Sequence, residues 1–147
     1  MDDNAKIIEQ IESYYNSWFE INNIYHIWAI RHGIQETTLF VLYVIKNTEP
    51  YCTQSDICKK LLLPKQTVSK ILSNLEHDEY ILKEPNSKDR RNRIIRYTEK
   101  GTQYATLILE ELKFAEINAF HQMSQKQCVN IVESFRLLSD SLLITLS

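Results

Sequence analysis

Between Thr53 and Gly101 the sequence leaves the backbone few choices. Thr53-Gln54-Ser55-Asp56 reads as an N-cap with an acid at the third helical position, so a short helix starts there. Its apolar residues Ile57, Leu61 and Leu62 are expected to point inward. Pro64 then suits the first position of a second helix, where its fixed φ matches and its missing N–H costs nothing. In that helix Val68, Ile71, Leu72 and Leu75 form one stripe at helical spacing, which leaves Lys65, Gln66, Thr67, Ser69, Lys70 and Asn74 outside it. Tyr80 to Pro85 and Arg93 to Tyr97 follow as strand-like runs around a polar loop, Asn86 to Asn92, which reads as a hairpin with a longer-than-tight loop. Four arginines (Arg90, Arg91, Arg93 and Arg96) fall within seven residues of this ribbon. A helix whose first turns offer Lys, Gln, Thr and Ser, followed by an arginine-rich loop, has the parts to read one DNA groove and grip the next.

The charge distribution agrees. Residues 59–100 carry 11 Lys and Arg against 6 Asp and Glu, a local excess of +5 on a chain whose net charge is −2. A positive segment on an acidic body is the electrostatic footprint of a phosphate-facing surface.

The flanks read as helices. Ile7, Ile8, Ile11, Tyr14, Tyr15, Trp18, Ile21, Tyr25 and Trp28 recur at helical spacing and predict one long amphipathic helix over roughly residues 4 to 30, ended by Gly33. A second helix over Thr37 to Asn47 carries Leu39, Phe40, Leu42, Tyr43, Val44 and Ile45, which predicts burial on most sides. Thr98 can cap a helix bearing Tyr104, Leu107, Ile108, Leu112, Ala115 and Ala119. Ser124 and Gln127 form a capping box that opens a last helix, with Cys128, Ile131, Val132, Phe135, Leu138, Leu142 and Leu146 on one face. The fold class is therefore mainly α (α+β), six helices with a two- or three-stranded hairpin, an arrangement that resembles a winged helix. All 147 residues read as one domain; the resemblance implies a winged helix-turn-helix regulator with its DNA-binding part over 35–100 and dimerisation helices over 1–33 and 101–147.

Composition removes several function classes. Two glycines leave no phosphate-cradling loop and no Gly-x-Ser-x-Gly elbow, and there is no His-Glu-x-x-His, so nothing nominates an enzyme. No apolar run approaches the roughly 18 residues that span a bilayer. The acidic start MDDNAKIIEQ lacks the features of a signal peptide, so a cytoplasmic location is expected. Three cysteines without C-x-x-C spacing indicate neither a disulfide framework nor a zinc ribbon, and His26 and His32 are not spaced as ligands on one helical face. No metal and no cofactor is expected.

Asp89-Arg90-Arg91-Asn92-Arg93-Ile94-Ile95-Arg96-Tyr97-Thr98-Glu99-Lys100-Gly101 resembles the wing pattern of the MarR family of bacterial winged helix-turn-helix regulators. That pattern is Asp, any residue, Arg, three residues, an aliphatic, one residue, Leu-Thr, two residues and Gly; only its Leu departs, replaced here by Tyr97. Thr67-Val68-Ser69 and Leu75-Glu76 extend the likeness into the preceding helix. A second departure is Glu79, where the family usually places the glycine of a left-handed helix C-cap; the loss is expected to strain that corner by roughly 1 kcal/mol.

The resemblance implies a homodimer knitted from the terminal helices, which presents two recognition helices to a pseudo-palindromic site on double-stranded DNA. The wide apolar stripes of those helices point the same way, because they exceed what one small core can bury. Base contacts would come from Lys65, Gln66, Thr67, Ser69 and Lys70. The resemblance makes Arg91 the arginine that enters the minor groove, with Asp89 orienting its guanidinium by a charge-assisted pair. Lys88, Arg90 and Arg93 are assigned to phosphates. It also implies a repressor responsive to a small amphipathic or aromatic effector, for which Tyr14, Trp18, Tyr25 and His26 are the candidate lining. The alternative is a winged-helix protein-interaction module without DNA binding; a neutral or acidic wing would favour it, and this wing is basic.

Overall fold

The computed structural model describes residues 3–147 and forms two units, one up to residue 109 and one over 110–147. The elements run α1 (Asp3–Arg31), α2 (Glu36–Asn47), β1 (Cys52–Thr53), α3 (Gln54–Leu61), α4 (Lys65–His77), β2 (Ile81–Glu84), β3 (Ile94–Tyr97), α5 (Glu99–His121) and α6 (Gln125–Leu146).

In the first unit Leu39, Val41 and Leu42 of α2, Ile57 of α3, Val68 and Leu72 of α4 and Ile81 of β2 are fully buried and make the core. The sheet is antiparallel with order β1-β3-β2; Ile81 pairs with Tyr97 and Glu84 with Ile94, while Cys52 pairs with Ile95 on the other side. The expected stripe of α4 is the buried one. α2 differs from expectation at Tyr43, which is 46% exposed while its neighbours Leu42 and Val44 are buried.

Helix ends show why the chain turns where it does. Thr53 Oγ1 accepts from the Asp56 amide and the Asp56 carboxylate accepts from the Thr53 amide, so the capping box at α3 is complete. α1, α3 and α4 each finish with a left-handed residue, Gly33 (φ +71°), Leu62 (φ +54°) and Glu79 (φ +63°). At Glu79 the Tyr80 amide donates back to the Leu75 carbonyl at 2.9 Å and the Glu79 amide to Glu76 at 3.0 Å, a Schellman closure on a residue with a Cβ. Leu62 corrects the sequence reading. As the left-handed cap it swings off the helical period and stands 87% exposed rather than inward. Pro64 is likewise one position earlier than expected: it is the N-cap, with extended ψ of 148°, and Lys65 begins the helix.

In the second unit, α6 opens with the Ser124–Gln127 capping box, both reciprocal bonds present. No α6 residue is buried; Val132 is 62% and Leu146 80% exposed on the face read as apolar. α1 shows the same feature, with Ala29 as its one buried residue and Ile8, Trp18 and Phe19 exposed. On the part of α5 that belongs to the first unit the buried stripe runs through Ala105, Ile108 and Leu109, so Leu107 faces outward, against expectation.

Candidate nucleic-acid interface

α4 presents the side chains that its buried stripe leaves out. Lys65, Gln66, Thr67 and Lys70 are exposed and Ser69 is half-buried, all in the first two turns of the helix. The helix start is tied to α3, because Gln54 Nε2 donates to the Lys65 carbonyl at 3.3 Å.

The wing is an ordered loop. Asn86 is buried (6% exposed) and uses both ends of its amide: Nδ2 donates to the Asn92 carbonyl at 2.9 Å and Oδ1 accepts from the Lys88 amide at 3.0 Å. Asn92 Oδ1 in turn accepts from the Ser55 amide at 3.2 Å, which docks the wing on the first turn of α3. Lys88, Asp89, Arg90 and Arg91 are exposed on the loop so formed. The Arg93 guanidinium donates to the Lys83 carbonyl at 3.4 Å and Arg96 pairs with Glu84 at 2.6 Å. Arg93 and Arg96 are thus drawn to the hairpin, while Arg90 and Arg91 extend from its tip.

Asp89 acts differently from the reading of the sequence. Its Oδ1 accepts from the Arg91 backbone amide at 3.0 Å, and no ion pair joins it to the Arg91 guanidinium among the described residues. An Asx-type turn is closed by a short side chain, so the carboxylate sets the backbone that carries Arg91. Asn86 and Asn92 were missed by the sequence reading; their partners lie in other elements, and only the Asn-rich loop composition hints at them.

The exit from the wing explains its motif. A Cβ on Gly101 would sit 1.7 Å from the Tyr80 carbonyl oxygen, so only glycine lets α5 start against β2. Thr98 caps that start, its Oγ1 accepting from the Gly101 amide at 2.9 Å and donating to the Glu79 carbonyl at 2.6 Å. Tyr97, at the position where the wing pattern has leucine, donates its hydroxyl to the Leu42 carbonyl at 2.7 Å, and burial pushes its pKa up. The larger side chain therefore brings its own hydrogen-bond partner.

The four candidate ligand residues separate into two places. Tyr14 and Trp18 stack along α1 at 5.9 Å, whereas Tyr25 packs on Phe40 at 5.7 Å and His26 lies 3.6 Å from Glu36. None lines the apolar cavity of about 740 Å³ in the second unit, which includes Ile117, Phe120, Met123 and Cys128.

A recognition helix packed behind a capped first helix, followed by a docked basic hairpin, defines the winged helix-turn-helix class. Residues 32–92 match the model of the MarR family. The fold is similar to that of a MarR family regulator from Neisseria meningitidis at 27% identity and a TM-score of 0.81, covering 94% of this chain and 96% of that one. It also resembles FabT of Streptococcus pneumoniae, solved in complex with DNA (25% identity, TM-score 0.72, covering 95% and 99%). MepR of S. aureus, likewise solved with DNA, superposes with a TM-score of 0.76 at 22% identity over 88% and 98% of the two chains. No curated protein matches the sequence.

Proposed function

We propose that this chain is a DNA-binding transcription regulator, a homodimeric repressor of a pseudo-palindromic operator. The observation that carries the reading is the joint exposure of Lys65, Gln66, Thr67 and Lys70 on α4 beside Arg90 and Arg91 on a wing docked to α3. α4 reads the major groove and Arg91 the minor groove, while Lys88, Arg90 and Arg93 hold phosphates. The relatives solved with DNA, MepR and FabT, support the partner. Residues 35–100 form the DNA-binding part in this reading, and 1–33 and 101–147 the dimerisation helices.

The dimer rests on the apolar side chains that α1 and α6 leave exposed, among them Ile8, Trp18, Phe19, Val132, Phe135 and Leu146. Faces of this kind are covered in stable proteins. Half-sites then lie about one helical turn apart, near 34–36 Å. A small aromatic or amphipathic effector releases the DNA, and Tyr14, Trp18, Tyr25 and His26 are its candidate contacts. The rival reading, a winged module that binds only proteins, is disfavoured by the local excess of +5 over residues 59–100.

Selection from random duplex DNA, followed by light scattering of the free protein, tests this function. A two-fold related sequence and about twice the chain mass are expected. A clean monomer removes the two-fold operator, and recovery of no sequence leaves the protein-binding module as the reading.

A further inference from the structure

A cleft of about 310 Å³ separates the wing from the first turns of α3 and α4. Its lining holds three cations, Lys59, Lys65 and Arg91, against one carboxylate, Asp89, which is already engaged by the Arg91 amide. None of the three cations forms an ion pair among the described residues, whereas Lys83 and Arg96 on the hairpin strands are paired with Glu76 and Glu84. The walls are held apart. Asn92 pins the wing to Ser55, buried Asn86 holds Asn92, and Gln54 spans to the start of α4. Three cations against one carboxylate leave the lining net positive, which favours a further anion there.

We propose that this cleft seats one backbone phosphodiester of the bound duplex, at the crossing between the groove read by α4 and the groove entered by the wing. The inference rests on the DNA reading above and adds Lys59, with Asn92 as the residue that sets the width of the seat. A phosphodiester carries one charge, which suits the Lys59 ammonium from the helix side, while Lys65 and Arg91, whose head groups go on to the two grooves, add positive field at the rim.

The test is a coupling experiment on the full-length protein. Operator duplexes carrying a single neutral methylphosphonate, walked along the backbone, are titrated against the natural chain, Lys59→Ala and Lys59→Arg. At one position per half-site the neutral linkage is expected to weaken the natural chain about tenfold, and Lys59→Ala to weaken the unmodified duplex by a similar factor with a salt slope smaller by about 1 per half-site. Combining the two is expected to add less than about a further twofold, since both remove the same contact. Lys59→Arg restores binding and the coupling. Asn92→Ala, which widens the seat, loses the coupling at that position while base preference stays. Additive losses at every position overturn the seat and make Lys59 diffuse charge. Failure of the natural chain to discriminate any duplex is a separate result that removes the DNA reading and the seat together. Inorganic phosphate, added at constant ionic strength, is expected to leave the amide signals of Ser55 and Asn92 unmoved at millimolar concentration. A saturable shift there assigns the cleft to a free anion and overturns the duplex seat.

Discussion

Arg96 Nε donates to Glu84 Oε2 at 2.6 Å across the hairpin, and Arg91, on the tip of the same hairpin, has no acidic partner among the described residues. One charge is consumed within the protein and the other is presented. Arg91→Ala is therefore expected to weaken operator binding about tenfold or more, roughly 1.4 kcal/mol. Arg96→Ala is expected to cost less than about threefold, because an exposed pair at the hairpin base meets at most a screened phosphate. Titration of both variants against one operator at fixed salt decides it; equal losses make the wing a diffuse charge.

Asp89 sharpens that test, because its carboxylate bonds the backbone amide of Arg91. Asp89→Ala is expected to weaken binding although it removes a negative charge near DNA. Asp89→Asn keeps the acceptor and is expected to bind at least as well as the natural chain. Tighter binding by Asp89→Ala would show that the turn does not place Arg91.

Glu79 ends the recognition helix at φ +63°, a conformation that a Cβ disfavours. Its side chain is exposed, so glycine there relieves strain without opening a cavity. Glu79→Gly is expected to raise stability by about 1 kcal/mol in urea denaturation, the strain outweighing the extra freedom of the unfolded chain. Gly101→Ala is the opposing control: its Cβ would fall 1.7 Å from the Tyr80 carbonyl oxygen, so that variant is expected to be destabilised.

The cysteines separate by burial. Cys52 is 1% exposed, and burial, reinforced by Asp56, pushes its thiol from 9.0 up to about 12. The folded state thus holds this proton more tightly than the unfolded chain. Its contribution to stability is complete below pH 9.0 and is lost as pH rises through about 12. At pH 8 a maleimide is expected to label half-buried Cys58 and Cys128 in the native protein and Cys52 only after denaturation. Native labelling of Cys52, read by mass spectrometry, would contradict this burial.

Local signals were the legible ones. The capping boxes at Thr53 and Ser124 are completed by residues three positions on, so sequence carries both halves. The inner stripe of α4 followed from period alone, and the strain at Glu79 from a side chain standing where the resembled family usually has a helix C-cap glycine. Leu62 was misplaced because apolar spacing does not report where a helix stops and the backbone turns left-handed. The wing anchors were invisible for another reason: Asn92 bonds Ser55, 37 positions away, and no periodicity encodes that pair. The wing pattern sets Arg91 apart from Arg96, but the ion pair that engages Arg96 shows only once the register puts Glu84 diagonally across from it.

Base reading by α4 is the central claim, and Gln66 tests it most directly because its side chain is exposed on the second residue of that helix. The measurement is the affinity of Gln66→Ala for the selected operator and for a scrambled duplex of equal length, at one salt concentration. Loss of a bidentate base contact costs about 1–3 kcal/mol on the operator and leaves the scrambled duplex unchanged. A variant that loses equally on both, or on neither, would contradict recognition by this helix.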